Sequence, residues 1–120
     1  MLWNGDNMEE VITELFNIIL ENNIKLLKSY LKKNKISFEK TKTNILFETG
    51  IDENKIEWNI LYSKNYISKA FCNCDSSLRS YSEFKHFLSK NFVYMYKNPI
   101  TKIEYYESKT NNNIFLNIVN

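Results

Sequence analysis

The sequence has few of the residues that usually carry chemistry. Its 120 residues include one histidine (His86), one arginine (Arg79), two cysteines (Cys72 and Cys74), two glycines and one proline. Acid–base catalysis, metal chemistry and phosphate binding draw on histidine, cysteine, converging carboxylates and glycine-rich loops. We therefore expect that the protein is not an enzyme, uses no cofactor or metal ion, and acts through its surface.

The two cysteines are separated by a single residue, so a disulfide between them would close a very small, strained ring. A zinc site needs about four ligands, whereas Cys72, Cys74 and His86 supply three, and Asp75 is a poor fourth. No flanking motif supports Cys72 and His86 as a nucleophile and base. We expect reduced thiols that pack as small apolar side chains.

Long hydrophobic runs are also missing. No apolar stretch approaches the roughly 20 residues that a membrane-spanning helix needs. Acidic Asp6, Glu9 and Glu10 stand near the N-terminus, where a secretory signal would have basic residues. The sequence therefore predicts a cytoplasmic protein with no membrane partner.

Aromatic residues are plentiful: eight tyrosines, eight phenylalanines and two tryptophans, in a chain that is 43% hydrophobic. Each aromatic side chain removes a large area from water, so this composition can fill one core and argues against disorder. The length is near that of an ordinary domain. We expect residues 1–120 to form a single domain.

Helical spacing of apolar residues runs from Met8 to Leu31, with acidic residues in the first half and lysines in the second. This charge order suits the helix dipole and needs no ligand to explain it. The apolar stripe drifts near Asn22 and Asn23, which predicts a bend or two abutting helices there. A second, shorter helical pattern ends near Asn91.

Short extended segments fill the rest of the chain, at 36–39, 44–48, 56–62, 66–72, 92–96, 100–107 and 114–119. Short connections favour antiparallel neighbours over β–α–β crossovers. We therefore expect an α+β fold: a single antiparallel sheet of about five to seven strands, with a long N-terminal helix packed on one face and a short second helix before the last three strands.

Tyrosines and lysines gather in the last strands. Strict alternation places Phe92, Tyr94 and Tyr96 on one side of their strand, and leaves Val93 and Met95 on the side better suited to a core. On the next strand Ile103 marks the face that it shares with Tyr105 as buried, so Tyr106 should point outward. The predicted binding site is one exposed patch formed by Tyr94, Tyr96 and Tyr106, with Lys97 and Lys102 at its edge.

The net charge of +2 is too weak to indicate nucleic-acid binding by itself. The lysine, asparagine and isoleucine content matches AT-rich codons, which points to a low-GC genome or one of its mobile elements. Because tyrosine and tryptophan dominate protein interfaces, our leading hypothesis is a small protein-binding module. In size and composition it resembles an inhibitor or immunity protein that occludes a larger enzyme or toxin. The alternative is RNA or single-stranded nucleic-acid binding through a sheet face that bears tyrosine and lysine.

Overall fold

A computed structural model describes residues 8–50, 55–77, 81–110 and 113–120. Three helices and seven strands follow one another along the chain: α1 (Met8–Leu20), α2 (Ile24–Lys33), β1 (Phe38–Lys40), β2 (Asn44–Thr49), β3 (Ile56–Ser63), β4 (Tyr66–Asp75), α3 (Tyr81–Asn91), β5 (Phe92–Lys97), β6 (Glu104–Ser108) and β7 (Ile114–Val119). The predicted α+β class is confirmed. None of the described helices is long and apolar enough to cross a membrane.

The seven strands form one mixed sheet in the order β1-β2-β3-β4-β7-β6-β5. The prediction of a purely antiparallel sheet was wrong, because β4 and β7 run parallel. Helix α3 returns the chain after β4, so β5 starts in the direction of β4. The antiparallel turns from β5 to β6 and from β6 to β7 then give β7 that same direction. A helical return of this kind is what parallel strands require.

The prediction of one long N-terminal helix was wrong: the segment forms two shorter helices, α1 and α2, which separate where the apolar stripe drifts. Asn22 adopts a left-handed conformation with φ of 55°, which asparagine tolerates better than most residues. Asn23 then caps α2, because its Oδ1 accepts hydrogen bonds from the backbone N–H groups of Lys25 and Leu26 at 3.0 and 3.3 Å. These two asparagines end one helix and begin the next.

One face of the sheet carries the core. Side chains buried on this face alternate along the strands, as Ile56, Trp58 and Ile60 do in β3. The helices cover it: Phe16 of α1 has its ring centroid 5.4 Å from Trp58 and 5.5 Å from Phe87 of α3, and Leu27 of α2 is fully buried in the same cluster. We call this side the helix-covered face.

The alternate strand residues project to the opposite side, which none of the described helices covers. We call this side the open face. Its members, taken from the strand register, are Glu39, Asn44, Leu46, Glu48, Glu57, Asn59, Leu61, Ser63, Tyr66, Lys69, Phe71, Asn73, Asp75, Val93, Tyr96, Tyr105, Glu107, Phe115, Asn117 and Val119.

Candidate functional site

Exposed large hydrophobic side chains concentrate at one edge of the sheet. β5 is the last strand in the sheet order and pairs with β6 alone among the described strands. Five exposed residues lie on it or in the turn that follows: Val93, Tyr94, Met95, Tyr96 and Ile100. We call these five residues the β5 edge.

A β-bulge turns the two tyrosines of β5 to opposite faces. Tyr94 pairs with Tyr106, and Tyr96 pairs with Tyr105, so the register shifts by one residue at Met95. Tyr105 lies opposite Asn117 on the open face, whereas Tyr106 lies opposite buried Leu116. The prediction that Tyr94 and Tyr96 share a side was wrong, because strict alternation fails where a bulge inserts an extra residue.

The prediction that Tyr106 points outward was wrong. It is partly buried against the core, and its hydroxyl donates a hydrogen bond to Glu104 Oε2 at 2.8 Å. Desolvation raises the pKa of Tyr106 well above its usual value, and the bond to Glu104 and the charge of that carboxylate raise it further. The alternation predicted from Ile103 fails because that residue precedes β6 and does not set the phase of the strand.

Val93 and Met95 are exposed, which corrects their assignment to the core. Val93 lies on the open face opposite Glu107, and Met95 is the extra residue at the bulge. An edge strand has no second neighbour to bury such side chains. The predicted patch is therefore divided: Tyr94 and Tyr96 stay exposed on either side of the edge, and Tyr106 belongs to the helix-covered face.

The two predicted lysines flank the β5 edge. Lys97 pairs in register with Glu104 at the end of β5, and Lys102 lies in the turn before β6; both are exposed. The side chain of Asn98 shapes this turn by accepting hydrogen bonds from the backbone N–H groups of Ile100 and Thr101 at 2.9 and 3.1 Å. The turn presents Ile100 with 88% of its surface exposed.

The thiols lie away from this edge. Cys72 and Cys74 are free and buried on the helix-covered face of β4. Burial and the nearby charge of Asp75 raise the pKa of Cys74 to about 12, and burial raises that of Cys72 as well. The thiols are thus held protonated at neutral pH. His86 is exposed on α3, and the described residues contain no cluster of His, Cys, Asp and Glu that could hold a metal ion.

Sequence reasoning missed the open face as a surface. The rings of Phe71 and Phe115 stack at its centre with centroids 5.4 Å apart. Paired asparagine amides flank this stack: Asn44 Nδ2 donates to Asn59 Oδ1, and Asn117 Nδ2 donates to Asn73 Oδ1, both at 2.7 Å. Alternation of Glu57 with Trp58 and of Asn73 with Cys74 signals these positions, but only the strand register joins them into one face.

Comparison with known proteins adds no assignment. No family model matches the chain, and no curated protein or solved structure matches it. The features that bear on function are therefore the β5 edge and the open face.

Proposed function

We propose that this protein is a binding module for another protein, of the inhibitor or immunity type that occludes a larger enzyme or toxin, and that the β5 edge is its contact surface. The observation that carries this proposal is the run Val93, Tyr94, Met95 and Tyr96, whose side chains are 48 to 55% exposed on a strand with one described neighbour. Tyrosine and methionine are enriched in interfaces, and tyrosine is common among the residues that dominate binding energy.

The backbone of β5 supports the same proposal. An edge strand presents N–H and C=O groups that a partner strand can pair with. Edges that must stay free are commonly protected by charge, proline or a bulge; β5 has no charge or proline before Lys97, and its one such device is the bulge at Met95. The bulge at Met95 interrupts regular pairing, so the edge favours a partner that fits its shape over indiscriminate strand addition.

The charges beside the tyrosines favour protein over nucleic acid as the partner. Glu104 accepts a hydrogen bond from Tyr106 on one face, and Glu107 lies opposite Val93 on the other. Each tyrosine pair thus has a carboxylate nearby, which would repel phosphate groups. Exposed Lys97 and Lys102 keep RNA or single-stranded nucleic-acid binding as the alternative, and the experiment below separates the two.

Affinity capture with matched variants tests the proposal. The tagged full chain, its Tyr96→Ala variant and its Leu26→Ala variant are each used to capture partners from the source organism, followed by quantitative mass spectrometry. Leu26 is the control because it is an exposed large hydrophobic residue, 38%, on α2, away from both the β5 edge and the open face. We expect one protein in stoichiometric amount with the wild type and with Leu26→Ala, and at least about tenfold less with Tyr96→Ala. Co-purifying nucleic acid, or equal recovery with both variants, would contradict the proposal.

A further inference from the structure

We infer that the open face belongs to the same contact surface, and that its occupant is a basic protein surface presenting lysine and arginine around an apolar patch. This inference rests on the proposed function and specifies the chemistry of the partner. Four observations on the open face carry it.

The first observation is continuity between the two surfaces. Tyr96 of the β5 edge stacks on Tyr105 of the open face, with ring centroids 4.8 Å apart and planes inclined by 15°. Beyond this pair lies the apolar centre formed by the stacked rings of Phe71 and Phe115. A partner that covers Tyr96 can therefore continue onto the open face without crossing any of the described helices.

The second observation is the charge of the face. Its strand residues include five carboxylates and one lysine: Glu39, Glu48, Glu57, Asp75, Glu107 and Lys69. Lys55, just before β3, adds a cation at 3.8 Å from Glu48. The chain as a whole has a net charge of +2, so the negative balance is local to this face. Complementary potentials of this kind select partners of opposite charge.

The third observation is a like-charge pair built into the sheet. Glu48 and Glu57 are direct cross-strand partners on the open face, an arrangement that destabilises a sheet. The contact between Lys55 and Glu48 joins two exposed side chains, and such pairs contribute little. The repulsion between the two glutamates is a cost to the free protein, and a cationic group from a partner would relieve it.

The fourth observation is a row of polar and aromatic side chains that crosses the sheet. At its centre Asn117 Nδ2 donates a hydrogen bond to Asn73 Oδ1 at 2.7 Å. In register, the side chains form one row across six strands: Glu48, Glu57, Asn73, Asn117, Tyr105 and Tyr96. The row spans roughly 24 Å at the usual strand spacing. Arginine and lysine carry only donors, so a partner's basic side chains match the two carboxylates at one end of this row, and the stacked tyrosine rings at the other end offer apolar contact.

The charges on the opposite side of the molecule do not offset this negative balance. The lysines of α2 lie on the other side of the molecule (Lys25, Lys28, Lys32 and Lys33), so they do not cancel this field at close range.

The test uses the isotope-labelled full chain and two synthetic peptides. In the first peptide arginine alternates with tyrosine and valine; in the second, glutamate replaces arginine. We expect the first peptide to shift the side-chain amide NMR signals of Asn73 and Asn117, with an affinity that falls as salt rises. The glutamate peptide should leave these signals unchanged.

Matched charge variants give the second arm. Glu57→Gln combined with Glu107→Gln should weaken binding of the arginine peptide at least about fivefold. Glu14→Gln combined with Glu21→Gln changes the net charge equally, but on and just beyond α1, and should weaken it less than about twofold. Both control glutamates are exposed.

Three results would overturn the inference: no shift of the asparagine signals, equal effects of the two glutamate pairs, or a larger shift of the same signals with a single-stranded RNA oligomer. The capture experiment that tests the proposed function does not use these peptides. The proposed function can therefore stand if the open face fails, and its own failure appears in the capture experiment alone.

Discussion

Tyr96 and Tyr105 stack on the open face with their ring centroids 4.8 Å apart. Two residues earlier on the same strand, Tyr94 meets Tyr106 edge-to-face on the helix-covered side. The bulge at Met95 makes both contacts possible. As a result, the edge offers an aromatic side chain above and below the plane of the sheet, and a partner strand added to β5 would find a ring on each of its own faces.

Removal of the Tyr96 ring should weaken binding of the captured partner. We expect Tyr96→Ala to cost about 2 kcal/mol or more, because an exposed tyrosine at the centre of an apolar edge is typical of interface hot spots. Lys97→Ala and Lys102→Ala should change the affinity little, since charges at an interface rim contribute little to it. Titration calorimetry gives all three values. Lysine variants that cost as much as Tyr96→Ala, together with a steep fall in affinity with salt, would support the nucleic-acid alternative.

Leu15 should be essential for stability. Its side chain projects from α1 into the core and is fully buried. Leu15→Ala therefore leaves a cavity and should lower the free energy of unfolding by about 2–5 kcal/mol. The neighbouring Glu14 is exposed, and Glu14→Ala should change it by less than about 0.5 kcal/mol. Urea unfolding monitored by circular dichroism measures both. Equal effects of the two substitutions would show that α1 packs by a different face.

The buried indole N–H of Trp58 depends on Thr49 for its hydrogen-bond acceptor. Both residues are buried, and Trp58 Nε1 donates a hydrogen bond to Thr49 Oγ1 at 2.9 Å. Thr49→Val keeps the shape but removes the acceptor, so it should lower the free energy of unfolding by about 1–3 kcal/mol. Thr49→Ser retains the acceptor and should lose less. If the valine variant is as stable as the wild type in urea, the hydrogen bond contributes nothing measurable.

Ionisation of the Cys74 thiol should lower the free energy of unfolding in alkaline solution. Its pKa rises from an ordinary value near 9 to about 12 in the folded chain, because burial disfavours the thiolate. The unfolded thiol ionises first, so the folded state keeps its full stability below about pH 9 and loses it progressively as the pH rises toward 12. Urea midpoints from pH 8 upward measure this slope. Cys74→Ala should give a shallower slope than the wild type; an unchanged slope would contradict the assignment.

Much of the fold could be predicted because its signals are local. The alternation of Ile56, Trp58 and Ile60 indicates a half-buried strand, and the drift of the stripe at Asn22 marks the break between α1 and α2. The parallel pairing of β4 with β7 has no such signal. It depends on where α3 carries the chain, and only tertiary packing decides that.

The candidate site could be predicted only in part. The chain has more aromatic residues than one core needs, which predicts that some of them are exposed. Tyr94 and Tyr96 are both exposed. Their opposite orientations depend on a bulge at Met95, which no glycine marks in the sequence. The phase of β6 depends on its pairing with β7. The same non-local pairing assembles the open face from residues as distant as Glu48 and Asn117.

Hydrogen exchange of β5 in the complex shows whether a partner covers the β5 edge. Amide exchange is compared by mass spectrometry for the free protein and for the protein bound to its captured partner. If a partner covers the β5 edge, backbone amides in 92–97 gain protection, since a partner strand supplies acceptors for N–H groups that no described strand uses. Segment 24–33 in α2 should exchange at the same rate in both states. Unchanged exchange in 92–97, with protection confined to α2, would show that the partner binds the helices and not the β5 edge.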